Sequence, residues 1–315
     1  MQRQGKFTLV DVFTSQPFGG NQLAVFTEAA GLSGAEMQEL AHEMNFSEST
    51  FVLPAESADA VRRVRIFTPK HEMPMAGHPT VGTAWVLASH GQILLKSARM
   101  VTDAILELGI GPVTVSIESA DTKPEFVWMT HREAEFGATR RDRERVASAL
   151  GIAAADIRDD LPIQVVSTGF PFTFVPIGTL DALARCAPNA AALAALFKPG
   201  EPVLATYMFV ANESGEFAPR SRMFAPYDGV PEDPATGSAA APFGAYAAEY
   251  RLINPAPRTS FVVRQGVEMG RPSEIHVEVA RKDSGAFGIR IGGRCAIVGE
   301  GAIFLESVAA TSARA

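Results

Sequence analysis

The stretch RIFTPKHEMPMAGHPTVGTAWVLASHG, residues 65–91, returns in altered form as RMFAPYDGVPEDPATGSAAAPFGAYAAEYR at residues 222–251. In each copy a short segment ending in proline leads through a polar, proline-containing loop to a glycine-polar step and then an apolar helix. Gly77 aligns with Gly237 and His78 with Ser238, and the copies stand half a chain length apart in a chain of 315 residues. A solenoid would repeat more often, so the pattern predicts one duplication, two similar lobes and a site between them.

Working outward, KFTLVDVFT (6–14) and QLAVF (22–26) read as strands around the Gly- and Pro-marked turn SQPFGGN, a hairpin that opens the fold. SGAEMQELAHEMN (33–45) has Met37, Leu40, Ala41 and Met44 at helical spacing, with Ser33 as cap. Strands are predicted at SESTFVLP, AVRRVRIFTP, GPVTVSIES, EFVWMT, LPIQVVSTG, PFTFVPI, VLATYMFVA, SFVVRQG, EIHVEVA and AIFLES. Between them RDRERVASALGI and TLDALARCAPNAAALAALF are helical by composition and period, and SVAATSARA is a tail. The expected division is a first lobe over 1–128, completed by a C-terminal strand near 298–308, a second lobe over 129–297, and a tail over 309–315.

Composition bounds the function. With 47% hydrophobic and 20% charged residues the chain folds as a globular protein, not a disordered one. A net charge of −7 argues against a nucleic-acid groove or an anionic membrane surface, leaving a small molecule as the default partner. Two cysteines, Cys186 and Cys295, without CxxC spacing suggest neither a disulfide framework nor a thiolate metal site, and fit a reducing cytoplasm. No targeting or membrane-spanning segment is legible.

The two echoed helices are apolar on nearly every face, with Trp85, Val86 and Leu87 in one and Phe243, Tyr246 and an alanine run in the other. Such helices must be buried all round, and strands wrapped about each would do it. Their first amides then point outward and make an anion site, so a ligand carboxylate is expected at Gly77–His78 and Gly237–Ser238. Glycine permits close approach, and Ser238 adds a hydroxyl.

Together, DVFTSQPFGGNQLAVF, NFSESTFVLP, RIFTPKHEMPMAGHPTVGTA and GVPEDPATGSA resemble the phenazine-biosynthesis isomerase family, PhzF-like, of the diaminopimelate epimerase superfamily, across essentially the whole chain. The resemblance implies an α/β (α+β) fold of two pseudo-symmetric lobes, each a barrel-like, mostly antiparallel sheet around a central helix, with the site in the cleft. It implies no cofactor and no metal. Carried onto this sequence, the general acid/base is Glu48, supported by His78 and Asp233. Gly77, Gly237 and Ser238 fall where the family holds substrate, and Asn21 in GGNQL has a weaker substrate-side role beside Gln22, where the family often has proline. A homodimer is the expected assembly. The family's best-known member acts on a dihydro-hydroxyanthranilate.

Taken singly, each residue also has a plain structural reading. Glu48 would serve as a solvated acid at a strand start, although Phe46, Phe51 and Val52 favour the partial burial that raises a carboxyl pKa. His78 before Pro79 could cap a helix. Asp233 before Pro234 reads as an N-cap with Pro at N1. Two-base racemases of the superfamily use paired cysteines, and the matching positions here are Ala76 and Thr236. AHEMN and KHEMPM lack the second histidine of a zinc helix, GIGPV lacks a third glycine and reads as a turn, and no GxSxG occurs. The expected chemistry is a proton shift on a small carboxylate-bearing substrate. The alternatives are a carboxylate-based epimerase and a non-catalytic binding or adaptor protein.

Overall fold

The computed structural model of the chain describes residues 3–96, 100–198, 201–212, 217–255 and 257–305. The SVAATSARA tail and the final two residues of AIFLES lie outside them. The first half runs β1 (Arg3–Val12), β2 (Asn21–Phe26), α1 (Gly34–Met44), β3 (Glu48–Leu53), β4 (Arg62–Phe67), β5 (Glu72–Met73), α2 (Gly77–Ser89), β6 (Val101–Leu108), β7 (Gly111–Ala120) and β8 (Lys123–Thr130). The second runs β9 (Glu135–Arg140), α3 (Arg143–Leu150), β10 (Ile163–Ser167), β11 (Pro171–Pro176), α4 (Leu180–Arg185), α5 (Ala190–Ala194), β12 (Ala205–Val210), β13 (Arg220–Ala225), β14 (Val230–Asp233), α6 (Gly237–Glu249), β15 (Arg258–Gln265), β16 (Ser273–Arg281), β17 (Phe287–Gly293) and β18 (Cys295–Leu305).

Matching these runs strand by strand exposes the duplication. β2 and β3 pair in parallel across α1, as β11 and β12 do across α4 and α5. Antiparallel pairs follow, β3–β4 and β12–β13, and β4 and β13 each carry a short hairpin partner, β5 or β14. β4 then meets β6, and β13 meets β15, in short parallel contacts. Two hairpins finish each half, β6–β7–β8 and β15–β16–β17. Each sheet wraps one helix, α2 or α6, and neither closes into a barrel, because β8 pairs with β17 and joins the two lobes. The last strand, β18, runs antiparallel to β1 from Leu305 beside Arg3 to Cys295 beside Val12, so the first lobe takes its outer strand from the far end of the chain.

The local chemistry explains these elements. In β6, VTDAILEL, Thr102, Ala104, Leu106 and Leu108 alternate inward. Ser33 and Glu36 form a capping box that starts α1, and Asn45 ends it in the left-handed region at φ 52°. α2 and α6 are buried on all sides, as an apolar helix without a polar stripe demands. In α6, Phe243 and Tyr246 pack among Phe174, Phe209 and Tyr207 or Tyr250. Each large side chain so buried contributes about 1.5–3 kcal/mol.

The structure departs from the sequence reading in several elements. β9, β14 and β17 are strands that the sequence does not announce, since β9 is exposed nearly throughout, β14 is four residues with a proline, and glycines interrupt β17; β6, only a possible strand before GIGPV, forms in full over Val101–Leu108. The helical stretch 179–197 breaks at Cys186, where Pro188 cannot continue a helix and the Asn189 side chain accepts from Ala192 N to start α5. GIGPV is the β6–β7 hairpin turn, with Gly111 at φ 104°. Among the described residues no helix is long and apolar enough to cross a membrane.

Candidate active site

α2 and α6 meet N-terminus to N-terminus. A Cβ placed on Gly77 would lie 2.5 Å from Ser238 N and 2.9 Å from Gly237 Cα, so only glycine lets the helix starts come this close. Neither N-cap, Ala76 or Thr236, caps its helix with a side chain, and the first-turn amides face a cleft of about 570 Å³ that includes its open mouth. Gly77, His78, Gly237 and Ser238 all line this cleft, with Glu48 and Asp233 beside them. Its other wall is apolar: Met73, Met75, Phe170, Phe172, Met223 and Val230. Among the described residues no Lys or Arg lines it, so an anion entering the cleft meets the positive ends of two helix dipoles.

Glu48 opens β3. Its place is fixed by the parallel register that sets it opposite Leu23 of β2, and by the left-handed Asn45 that turns the chain out of α1. Its side chain is 16% exposed, and Oε2 lies 3.6 Å from His78 Nε2. His78 sits inside the first turn of α2 rather than at its cap, which corrects the capping alternative. It is buried, and burial pulls its pKa down to about 3, so the imidazole is neutral at physiological pH.

Asp233 is the last residue of β14, and Thr236, not Asp233, holds the N-cap position of the helix that follows, so the N-cap reading is replaced by another role. The residue is buried, 4% exposed. Oδ1 accepts from Asn21 Nδ2 and from Ser47 Oγ, each at 2.8 Å, and Oδ2 accepts from Thr236 Oγ1 at 2.6 Å. Burial raises its pKa while these three donors pull the other way. Asn21 stands apart from the other nominated residues. It does not line the cleft but sits behind it, 1% exposed, donating to Asp233 and to Ala235 O, with Nδ2 3.0 Å from His78 Nδ1. The neighbouring cavity that it borders also touches Ser47 and Arg271.

A family profile described as phenazine biosynthesis-like protein matches residues 10–301. The chain belongs to that family. Over 301 residues it is 36% identical to the trans-2,3-dihydro-3-hydroxyanthranilate isomerase of Pseudomonas aeruginosa, covering 95% of this chain and 99% of that one. An uncharacterized isomerase of Mesorhizobium japonicum is 34% identical over 304 residues, covering 95% of this chain and 98% of its own. Among solved structures, a phenazine biosynthesis PhzF-family protein of Bacillus anthracis superposes with a TM-score of 0.86 at 29% identity, covering 96% of this chain and all of its own, 100%. A hydroxyproline epimerase from Agrobacterium vitis shares the fold alone, with a TM-score of 0.66 at 14% identity over 98% of this chain and 95% of its own. The protein is an isomerase of the phenazine biosynthesis-like family.

Within this family member the two helix-cap positions that face the cleft are Ala76 and Thr236, so no thiol stands there. Cys186 and Cys295 are buried elsewhere. Three contributors were not nominated from sequence. Ser47 adjoins Glu48 and donates to Asp233. Thr236 donates to the same carboxylate. Gln265 ends β15 on its buried face, after Phe261 and Val263, and a polar residue at an apolar period-2 position was the available signal.

Proposed function

We propose that this isomerase moves a proton between two carbons of a small carboxylate-bearing substrate with Glu48 as its one mobile acid/base. The substrate carboxylate binds at the starts of α2 and α6, where backbone donors stabilise charge developing next to it. The carboxylate of Glu48 takes a C–H proton, the double bond shifts, and the resulting carboxylic acid returns the proton to another carbon on the same face. Asp233 and His78 orient amine or hydroxyl groups of the substrate. The relative from Pseudomonas aeruginosa makes trans-2,3-dihydro-3-hydroxyanthranilate the first substrate to test.

The observation that carries this reading is the contrast between the two cleft carboxylates. Asp233 is buried, 4% exposed, with three donors on its oxygens, and the Glu48 side chain keeps 16% exposure at the cleft, beside a neutral histidine. With Glu48 the more exposed of the two cleft carboxylates, a proton taken and returned by one acid on one face is favoured over two-base inversion.

Turnover of trans-2,3-dihydro-3-hydroxyanthranilate in D₂O, followed by NMR, tests it. Double-bond migration with deuterium at the newly protonated carbon is expected. Glu48→Gln should lower the rate by about 10²–10⁴ while binding stays within about tenfold, because the amide keeps the shape but accepts no proton. Deuterium at a single inverted stereocentre would favour a carboxylate-based epimerase. Tight binding without bond migration or exchange would favour the binding-protein alternative.

A further inference from the structure

We propose that Gln265 is a positioning residue that makes the Thr236 hydroxyl an obligate donor to Asp233 and so keeps that buried carboxylate charged. Gln265 is 0% exposed, and its amide is fully committed. Oε1 accepts from Thr236 N at 3.1 Å, while Nε2 donates to Asp233 O at 2.7 Å and to Thr236 Oγ1 at 2.9 Å. The backbone N–H of Thr236 and the carbonyl of Asp233 fix which end of the amide is oxygen, so the end facing Oγ1 is the NH₂ group. A hydroxyl has one hydrogen. With Gln265 donating into Oγ1, that hydrogen goes to Asp233 Oδ2, at 2.6 Å, a length usual for a hydroxyl on a carboxylate.

The charged groups around Asp233 give little other help. Glu232, its chain neighbour, is paired with Arg222 through two contacts. His78, from α2, is neutral, and Glu48, from β3, is a second carboxyl group that supplies no positive charge. Among the described residues no Lys or Arg lines the cleft. Hydrogen-bond donors therefore oppose the burial that would neutralise the carboxylate, and Thr236 is the donor whose direction another residue dictates. Without Gln265 the hydroxyl is free to turn and accept a hydrogen bond from a neutral, protonated Asp233 instead. This inference rests on the reading above, in which Asp233 orients an amine or hydroxyl group of the substrate.

The test needs no substrate, so it fails or succeeds separately from that reading. The Asp233 carboxyl is titrated by ¹³C NMR in aspartate-labelled protein, with Asp233→Asn identifying its signal. Gln265→Met should raise its pKa by about one to two units, the loss expected for one hydrogen bond to a charged group. Thr236→Val should raise it by a similar amount, and Thr236→Ser, which keeps the hydroxyl, should leave it within about 0.3 units. Gln265→Met combined with Thr236→Val should shift it no further than Thr236→Val alone, because both act through one hydrogen. An unmoved pKa in Gln265→Met with a lowered melting temperature makes Gln265 a helix-end brace only and overturns the proposal. Additive shifts in the double variant overturn it as well. If Gln265→Met does not fold, an unmoved pKa in Thr236→Val overturns it from the other side.

Discussion

Replacing Gly77 by alanine should pull apart the two helix starts and damage ligand binding far more than it damages the fold. The added Cβ would lie 2.5 Å from Ser238 N, 2.8 Å from Gly237 C and 2.9 Å from Gly237 Cα. All three are backbone atoms, so no rotamer change relieves them. Ordinary contact begins near 3.5 Å, so the helices must separate by about 1 Å. A displacement of that size at a reacting geometry costs about 10² in rate. Overpacking of this kind costs about 1–3 kcal/mol of stability, a fall of several degrees in melting temperature. Gly237→Ala is the matched control, since its Cβ would meet only side-chain atoms, Phe13 Cζ at 3.0 Å and Ile291 Cδ1 at 3.2 Å, which can shift. The assay is kcat/KM on the dihydro-hydroxyanthranilate, with calorimetric binding of 3-hydroxyanthranilate, its aromatic analogue, alongside thermal unfolding. Gly77→Ala should lose about a hundredfold and Gly237→Ala less than about tenfold. Gly77→Ala with wild-type binding and turnover, or with losses no greater than those of Gly237→Ala, would refute the idea that the paired helix starts form the site.

Three further outcomes follow from the same geometry. Burial pushes the Cys186 thiol up to about 11 and Cys295 upward as well, so iodoacetamide at neutral pH should leave the folded enzyme unmodified and active by mass spectrometry and assay; inactivation without unfolding would revive a thiol mechanism. His78 and His131 are held neutral by burial, at about 3 and about 4 against an ordinary 6.5, so their stabilisation is complete above pH 6.5 and is lost as pH falls toward those values. At about 1.4 kcal/mol per unit the full loss is on the order of 5 kcal/mol for His78 and 3–4 kcal/mol for His131; Asp233, with its raised pKa, works in the opposite direction. Urea midpoints measured from pH 7 to pH 4 should fall, and His131→Gln should flatten that slope. Arg222 is 7% exposed, forks onto Glu232 at 2.8 Å twice, and donates to Leu183 O, Ala184 O and Cys186 O. Arg222→Met should therefore cost about 3–5 kcal/mol in urea unfolding, because it strands a carboxylate and three carbonyls; a loss below about 1 kcal/mol would contradict that account.

The echo between residues 65–91 and 222–251 was enough to place α2 and α6, their burial and the glycines at their starts, because apolar periodicity and glycine-polar steps are local properties. The motifs were enough for the family, and Glu48, His78 and Asp233 do meet at one cleft. β9 stayed illegible for a physical reason: it is an exposed strand whose side chains carry little inward pattern. β17 is interrupted by glycines that let neighbouring strands and Phe13 approach, as at Gly292 and Gly293.

The roles inside the site belong to the tertiary structure. Asn21 reads locally as a turn residue, yet folding carries it to Asp233, 212 positions away in sequence, where its amide serves the interior rather than the cleft. Ser47 reaches the same carboxylate across 186 positions, and Gln265 reaches Thr236 across 29. Sequence by itself determined the two lobes, their central helices and the chemistry-bearing side chains, since each is written in neighbouring residues. Which of those side chains would reach the cleft, and which would be buried behind it, was decided only when docking of the lobes brought distant strands to the two helix starts, because burial and hydrogen bonding depend on position in space and not on spacing along the chain.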